Sequence, residues 1–136
     1  MHLQRIIIIA LSFLGIISTF LPWFTYDFLL VKTTENGIDS NGNGWFTIIL
    51  FTLCIILSVL SELNNTINNK LSIGIILASL LSTLIVIIEL LSLEKQSDNI
   101  IGEILRTSIE IGVGIYLLIF CGITIPIIIL VLKNKK

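Results

Sequence analysis

The chain has 136 residues, 55% of them hydrophobic and only 12% charged, for a net charge of −1 and a mean hydropathy of +1.06. Soluble domains carry roughly twice that charged fraction, and a small domain leaves much of its surface exposed, so this composition excludes a water-soluble globule. It also excludes a basic nucleic-acid-binding surface. The two cysteines, Cys54 and Cys121, sit inside apolar runs without a CxxC pair or a secreted disulfide framework.

Ile6 to Leu21 is an uncharged apolar run with Arg5 before it and Trp23-Phe24 after it. With its flanks it approaches the ~20 residues that cross a bilayer, which predicts a span over 6–23. A cleaved signal peptide is the competing reading. No small-x-small cleavage pattern surrounds Ser18-Thr19-Phe20 and three more apolar runs follow, so a retained helix is expected. His2 reads as a tail residue. Pro22 ends the helix, because it lacks an amide proton and biases Leu21 away from helical backbone. The β-branched and aromatic residues of 24–34, followed by Asn36-Gly37 as a turn signal, predict a short β-hairpin on the membrane surface.

The second span is expected over 45–63, with Asn43 or Asp39 capping its first amides and Gly42 and Gly44 allowing a tight turn into it. A short polar link, Glu62 to Lys70, makes it an antiparallel neighbour of the third span at 71–93. Between Ser97 and Glu110, Ile100, Ile101, Ile104, Leu105 and Ile109 are spaced for one apolar helical face, with Glu103, Arg106 and Glu110 opposite. That pattern predicts a short interfacial helix or an extension of the fourth span, 111–132, which a basic tail follows. The fold class is therefore an all-α integral membrane protein, a single four-transmembrane-helix bundle over 1–136. Its longer loops are 24–44 and 94–110, with the β-hairpin in the first.

Arg5, Lys70, Lys133, Lys135 and Lys136 fall on one side of the membrane, and Lys32, Lys95 and Arg106 on the other. The positive-inside rule then puts both termini in the cytoplasm. Most acids lie on the opposite side, leaving about −5 outside and about +4 inside. Trp23, Tyr26, Trp45 and Tyr116 cluster at the outer boundary and are expected as interface anchors. At an offset of 70 residues, Gly42-Asn43-Gly44-Trp45-Phe46 aligns with Gly112-Val113-Gly114-Ile115-Tyr116, and Ser12 with Ser82, the pattern of a duplicated helical hairpin.

Helices in lipid associate through close approach and interhelical hydrogen bonds, so small residues should mark the contacts. Gly74, Ala78 and Ser82 form such a stripe on the third span, and Gly114, Gly122 and Pro126 lie on one line of the fourth. Thr47, Cys54, Ser58 and Ser61 share a seam on the second span, as do Ser12, Gly15 and Thr19 on the first. Pro126 predicts a kink, since the Gly122 carbonyl loses its usual donor.

Asp39-x-Asn41-x-Asn43-Gly44 matches the first half of a calcium loop, with oxygens at positions one, three and five before a turn-making glycine. The twelfth position is Leu50 rather than a glutamate, so a helix-capping turn is the stronger reading of Asp39, Asn41 and Asn43. Glu89, one turn from the outer end of the third span, is expected to reach the interface. No acid or base lies near mid-membrane, which argues against a proton-coupled exporter. Cys54 and Cys121 read as buried small hydrophobes. No catalytic set and no cofactor motif is present in the sequence, and no enzymatic activity is expected.

Leu21-Pro22-Trp23, Gly42-Asn43-Gly44-Trp45 and Gly112-Val113-Gly114-Ile115-Tyr116 together resemble the LPW…GxGW…GxGxY pattern of small bacterial four-span proteins of uncharacterised function. The layout is also similar to the claudin-like arrangement, although the paired loop cysteines of claudins are missing. The resemblance implies a fold and a topology, and no activity. The sequence-level expectation for function is a bacterial cytoplasmic-membrane protein that binds a membrane-protein or extracellular partner, as an accessory or immunity-type factor. A homo-oligomeric channel or small transporter is the alternative.

Overall fold

A computed structural model describes residues 2–28, 31–39, 43–60, 67–97 and 108–133. Four helices carry the chain across the membrane: α1 (Leu3–Phe20), α2 (Asn43–Leu60), α3 (Asn69–Ser97) and α4 (Val113–Lys133). All four contain a stretch long and apolar enough to span. The 18 residues of α1 rise about 27 Å at 1.5 Å each, close to the ~30 Å hydrocarbon thickness. The starts of α2 and α4 lie 70 residues apart, the offset at which the two glycine motifs align.

The helices form a ring. Packing of α1 against α2 and α4, and of α3 against the same two, holds it together. The inward stripes are those that small and hydroxylated residues mark in the sequence. Ser12, Gly15 and Thr19 are buried on α1, Thr47, Cys54 and Ser58 on α2, Ala78 and Ser82 on α3, and Gly114, Gly122 and Pro126 on α4. Gly74 is half-buried against Leu57. The opposite faces expose Phe13, Ile17, Leu53, Ile56, Leu77, Leu84, Phe120 and Ile127 to the lipid.

Most of the buried hydroxyls bond within their own helix and not across the interface. Ser12 donates to the Ile8 carbonyl, Thr19 to Ile16, Thr47 to Gly44, Ser82 to Ala78 and Thr83 to Ser79. A hydroxyl satisfied by its own backbone leaves the helix surface slim and without unmet polar demand. Close packing, more than interhelical hydrogen bonding, therefore joins these helices. One direct tie between helices is the Cys54 thiol, 3.7 Å from the Ile75 carbonyl.

At the end of the bundle that holds the chain termini, two residues depart from the sequence expectation. His2 is not a loose tail residue, because its Nδ1 accepts from the Gln4 amide and caps α1. Arg5 is not a solvated flank but lies wholly buried beside Gln4. The Gln4 side chain donates to the Ile129 carbonyl at 3.4 Å and accepts from the Ile67 amide at 3.5 Å, joining α1 to α4 and to the start of the α3 segment. Burying the Gln4 amide there is tolerable because both its ends are hydrogen-bonded.

The opposite end is closed by a three-stranded antiparallel sheet of order β2-β1-β3, with β1 at Pro22–Phe28, β2 at Val31–Asn36 and β3 at Ser108–Ile111. The hairpin between the first two helices is present, but its strands pair from Phe28 with Val31 to Pro22 with Asn36, so Asn36-Gly37 lies at the open end of the pair and not at its reversal. Asn36 instead opens a turn toward α2, with the Asp39 amide bonding its carbonyl at 3.0 Å. The third strand corrects the expected interfacial helix: Ile109 and Glu110 are strand residues paired with Tyr26 and Thr25. The helical pattern continued into a segment whose end is captured by the β1 edge. The rest of that expectation, 98–107, lies outside the described residues.

Gly122 shows how tightly α3 and α4 approach. A Cβ at this position would collide with the Thr83 hydroxyl and sit 3.2 Å from the Ser79 carbonyl. Gly122→Ala is expected to lower stability by about 1–3 kcal/mol through overpacking, measured as a reduced Tm in mild detergent. Combining it with Thr83→Ala should recover most of that loss.

Candidate functional site at the sheet-capped end

The last carbonyls of a helix have no intrahelical donor. In α1, which ends at Phe20, the Ser18 carbonyl receives the Trp23 indole N–H at 3.0 Å. A β-bulge makes this bond geometrically available. Pro22 pairs with Asn36 and Phe24 with Glu35, so Trp23 has no partner of its own in the ladder. An extra residue bends a strand and re-aims its side chains, and here it lets two successive residues turn inward. Trp23 is 0% exposed and Phe24 1%. A regular strand would have sent one of them to water.

Glycines line the space around the indole. A Cβ on Gly37 would strike the six-membered ring of Trp23, and one on Gly114 would lie 2.7 Å from its Cδ1 and 2.6 Å from the Ser18 carbonyl. The neighbouring backbone is bonded into the same unit. The Gly44 amide donates to the Gly37 carbonyl at 3.0 Å, and the Gly112 amide to the Trp23 carbonyl at 2.7 Å. The three motifs Leu21-Pro22-Trp23, Gly42-x-Gly44 and Gly112-x-Gly114 thus have a shared structural reason: they bring the starts of α2 and α4 to one buried tryptophan. Gly42 itself lies outside the described residues.

Trp23 was expected, with Tyr26, Trp45 and Tyr116, as a ring at the lipid–water boundary. It is instead a core residue, because its N–H finds a protein acceptor. Trp45 and Tyr116, 55% and 62% exposed on α2 and α4, remain on the bundle surface, and Tyr26 is half-buried. Sequence reasoning passed over the adjacency of Trp23 and Phe24, whose joint burial signals the bulge.

The register divides the sheet into two unlike sides. Thr25, Asp27, Lys32, Thr34 and Glu110 share one side, where Lys32 Nζ lies 3.5 Å from the Asp27 carboxylate. Phe24, Tyr26, Val31, Thr33, Glu35, Ile109 and Ile111 share the other. This second side meets the bundle, since Phe24 is buried in it and Tyr26 stacks obliquely on Phe24 with ring centroids 6.5 Å apart.

Between this side and the helices lies a polar group. The Tyr26 hydroxyl donates to Glu35 Oε2 at 3.5 Å, and the Asn43 side-chain amide donates to Glu89 Oε2 at 2.9 Å. Burial, the Glu35 charge and its hydrogen bond, and the Glu89 charge all push the Tyr26 phenol above its ordinary value. Asn43 bridges α2 to α3 through its side-chain amide, and the Gly44 amide is satisfied by the Gly37 carbonyl. Of the calcium-loop residues, Asp39 is exposed in its turn, Asn43 holds Glu89, and Asn41 lies outside the described residues. No cluster of three or more His, Cys, Asp or Glu suited to a metal occurs among the described residues. Cys54 and Cys121 are buried free thiols on α2 and α4, which are not neighbours in the ring.

Trp23→Phe keeps most of the apolar contact and removes the donor, leaving the Ser18 carbonyl unmet. It should cost about 1–3 kcal/mol, against about 3–5 kcal/mol for Trp23→Ala, both read from thermal unfolding in micelles. Tyr26 should ionise above pH 10.0, its ordinary value. Ultraviolet titration, with Tyr26→Phe identifying the transition, should show Glu35→Gln moving it down and Glu89→Gln moving it less. Because the folded value is raised, the neutral phenol's stabilisation is complete below the unfolded pKa and is lost as pH rises through the folded one.

Comparison of the chain with protein-family models, curated proteins and solved structures returns no match. The bacterial four-span and claudin-like resemblances gain no support from these comparisons. What stands is a four-helix membrane-spanning protein whose glycine and tryptophan motifs build the capped end of the bundle.

Proposed function

We propose that this is a non-enzymatic, partner-binding protein of a bacterial cytoplasmic membrane, an accessory or immunity-type factor whose sheet end faces outward. The observation that carries this reading is the polar side of the sheet. It presents Lys32, Thr34 and Glu110 exposed on a platform that is hydrogen-bonded into the bundle. A fixed polar surface bordered by the membrane suits recognition of another protein, because a rigid platform loses little conformational entropy on binding. Loop surfaces positioned by a scaffold are a common location for such sites.

The small-residue stripes that would favour a homo-oligomeric channel lie within the monomer, with Gly74 against Leu57 and Gly122 against Thr83. A docking head therefore accounts for more of the structure than a pore does.

Affinity purification in mild detergent, at native expression, should recover a stoichiometric partner with the wild-type chain. Thr34→Arg combined with Glu110→Arg should reduce that recovery at least tenfold without changing Tm. Recovery of the lone monomer from wild-type cells would sink the proposal.

A further inference from the structure

We infer that the apolar side of the three-stranded sheet is a lipid-resting surface, laid on the membrane leaflet beside the bundle. This does not depend on the identity of any protein partner. The register puts Val31, Ile109 and Ile111 on the same side as Phe24 and Tyr26. Phe24 covers the bundle and is buried, whereas Val31, Ile109 and Ile111 remain 63%, 38% and 43% exposed. The sheet therefore extends beyond the helices it caps, and on the side turned toward the membrane its overhang carries Val31, Ile109 and Ile111, with Thr33 as the exposed polar exception.

Two constraints hold the overhang close to the leaflet. Leu21 alone separates α1 from β1, and Gly112 alone separates β3 from α4. One residue of extended chain reaches only about 3.5 Å, so the sheet cannot lift away from the helix ends. The apolar surface is also continuous with the lipid-facing flank of α4. Ile111 leads across Gly112 to Val113, Tyr116 and Phe120, spaced along one helix face and all exposed. The lipid that covers Phe120 and Tyr116 is the natural occupant for Ile111 and Ile109. The polar groups on this side, Thr33, Glu35 and the Tyr26 hydroxyl, suit the same boundary, since Tyr26 and Glu35 bond one another and a tyrosine ring is at home at headgroup level. Lys32 and Asp27, paired on the other side, face water. The sheet thereby does in β-structure what an amphipathic helix does at an interface.

Single nitroxide labels at Val31, Ile109, Thr34 and Glu110, in a Cys54→Ala/Cys121→Ala background, test this in liposomes of phosphatidylcholine with a quarter phosphatidylglycerol. The ratio of oxygen to nickel-chelate accessibility should be at least fivefold higher at Val31 and Ile109 than at Thr34 and Glu110. Equal nickel accessibility at all four positions would overturn the inference. So would Val31 and Ile109 labels that are open to nickel in liposomes but shielded in native membranes, the outcome expected if a protein covers this surface. Should the double-alanine background fail to fold, Val31→Trp and Thr34→Trp in a Trp45→Phe chain provide the same comparison. Dibrominated lipid should then quench the added fluorescence of the first and spare that of the second, and equal quenching would count against the inference.

Discussion

One hydrogen bond organises the capped end: the indole N–H of Trp23 on the carbonyl of Ser18. It answers a general need, since a helix finishing at the edge of a membrane leaves its last carbonyls without donors, and such groups are costly where water is scarce. The chain meets this need with a residue five positions further along, folded back by a bulge. Everything else near it follows from making room. Gly37 and Gly114 must lack side chains because the indole occupies their space. With the indole in place, the starts of α2 and α4 are drawn to the end of α1, and the sheet inherits a fixed position above all three.

Much of this was legible in the sequence, and the part that was not has a physical explanation. Apolar run lengths gave the four helices, because bilayer thickness constrains them directly. Small residues at helical spacing gave the inward faces, from Ser12-Gly15-Thr19 to Gly114-Gly122-Pro126. Local signals were weaker guides where tertiary pairing decides. Asn36-Gly37 is a genuine turn, yet it leads into α2, and the hairpin reverses earlier, where β1 and β2 find a register that joins Asp27 to Lys32. Ile109 and Glu110 fitted a helical pattern, but an edge strand with unpaired amides is a strong competitor for any nearby chain. The role of Trp23 was hidden because an aromatic ring near a membrane boundary has two stable destinations. Only the position of an acceptor distinguishes them.

Charge was misleading for a similar reason. A count of basic residues treats Arg5 as a solvated flank, whereas the fold buries it with Gln4 where α1, α4 and the start of the α3 segment converge. Removing a guanidinium from water is expensive unless its surroundings compensate, and the Gln4 side chain beside it ties this end through its bonds to the Ile129 carbonyl and the Ile67 amide. The bundle between the two ends is held differently. There most of the buried hydroxyls bond their own helices, and neighbours meet through shape.

These differences in how the parts are held imply where the molecule can transmit a force. The β1–β3 pairing joins the segments that flow into α1 and α4 through single residues, Leu21 and Gly112. The same two helices pack along their length and are tied at the far end by Gln4 on the Ile129 carbonyl. By contrast, α3 is linked to the capped end through a side-chain bond, Asn43 to Glu89. A load on the polar side of the sheet therefore reaches α1 and α4 through single linking residues and backbone hydrogen bonds, and among the described residues the Asn43–Glu89 side-chain bond carries it toward α3. The α1–α4 pair thus forms a frame with the sheet as its head, and the start of α2 joins it through the backbone bond from the Gly44 amide to the Gly37 carbonyl.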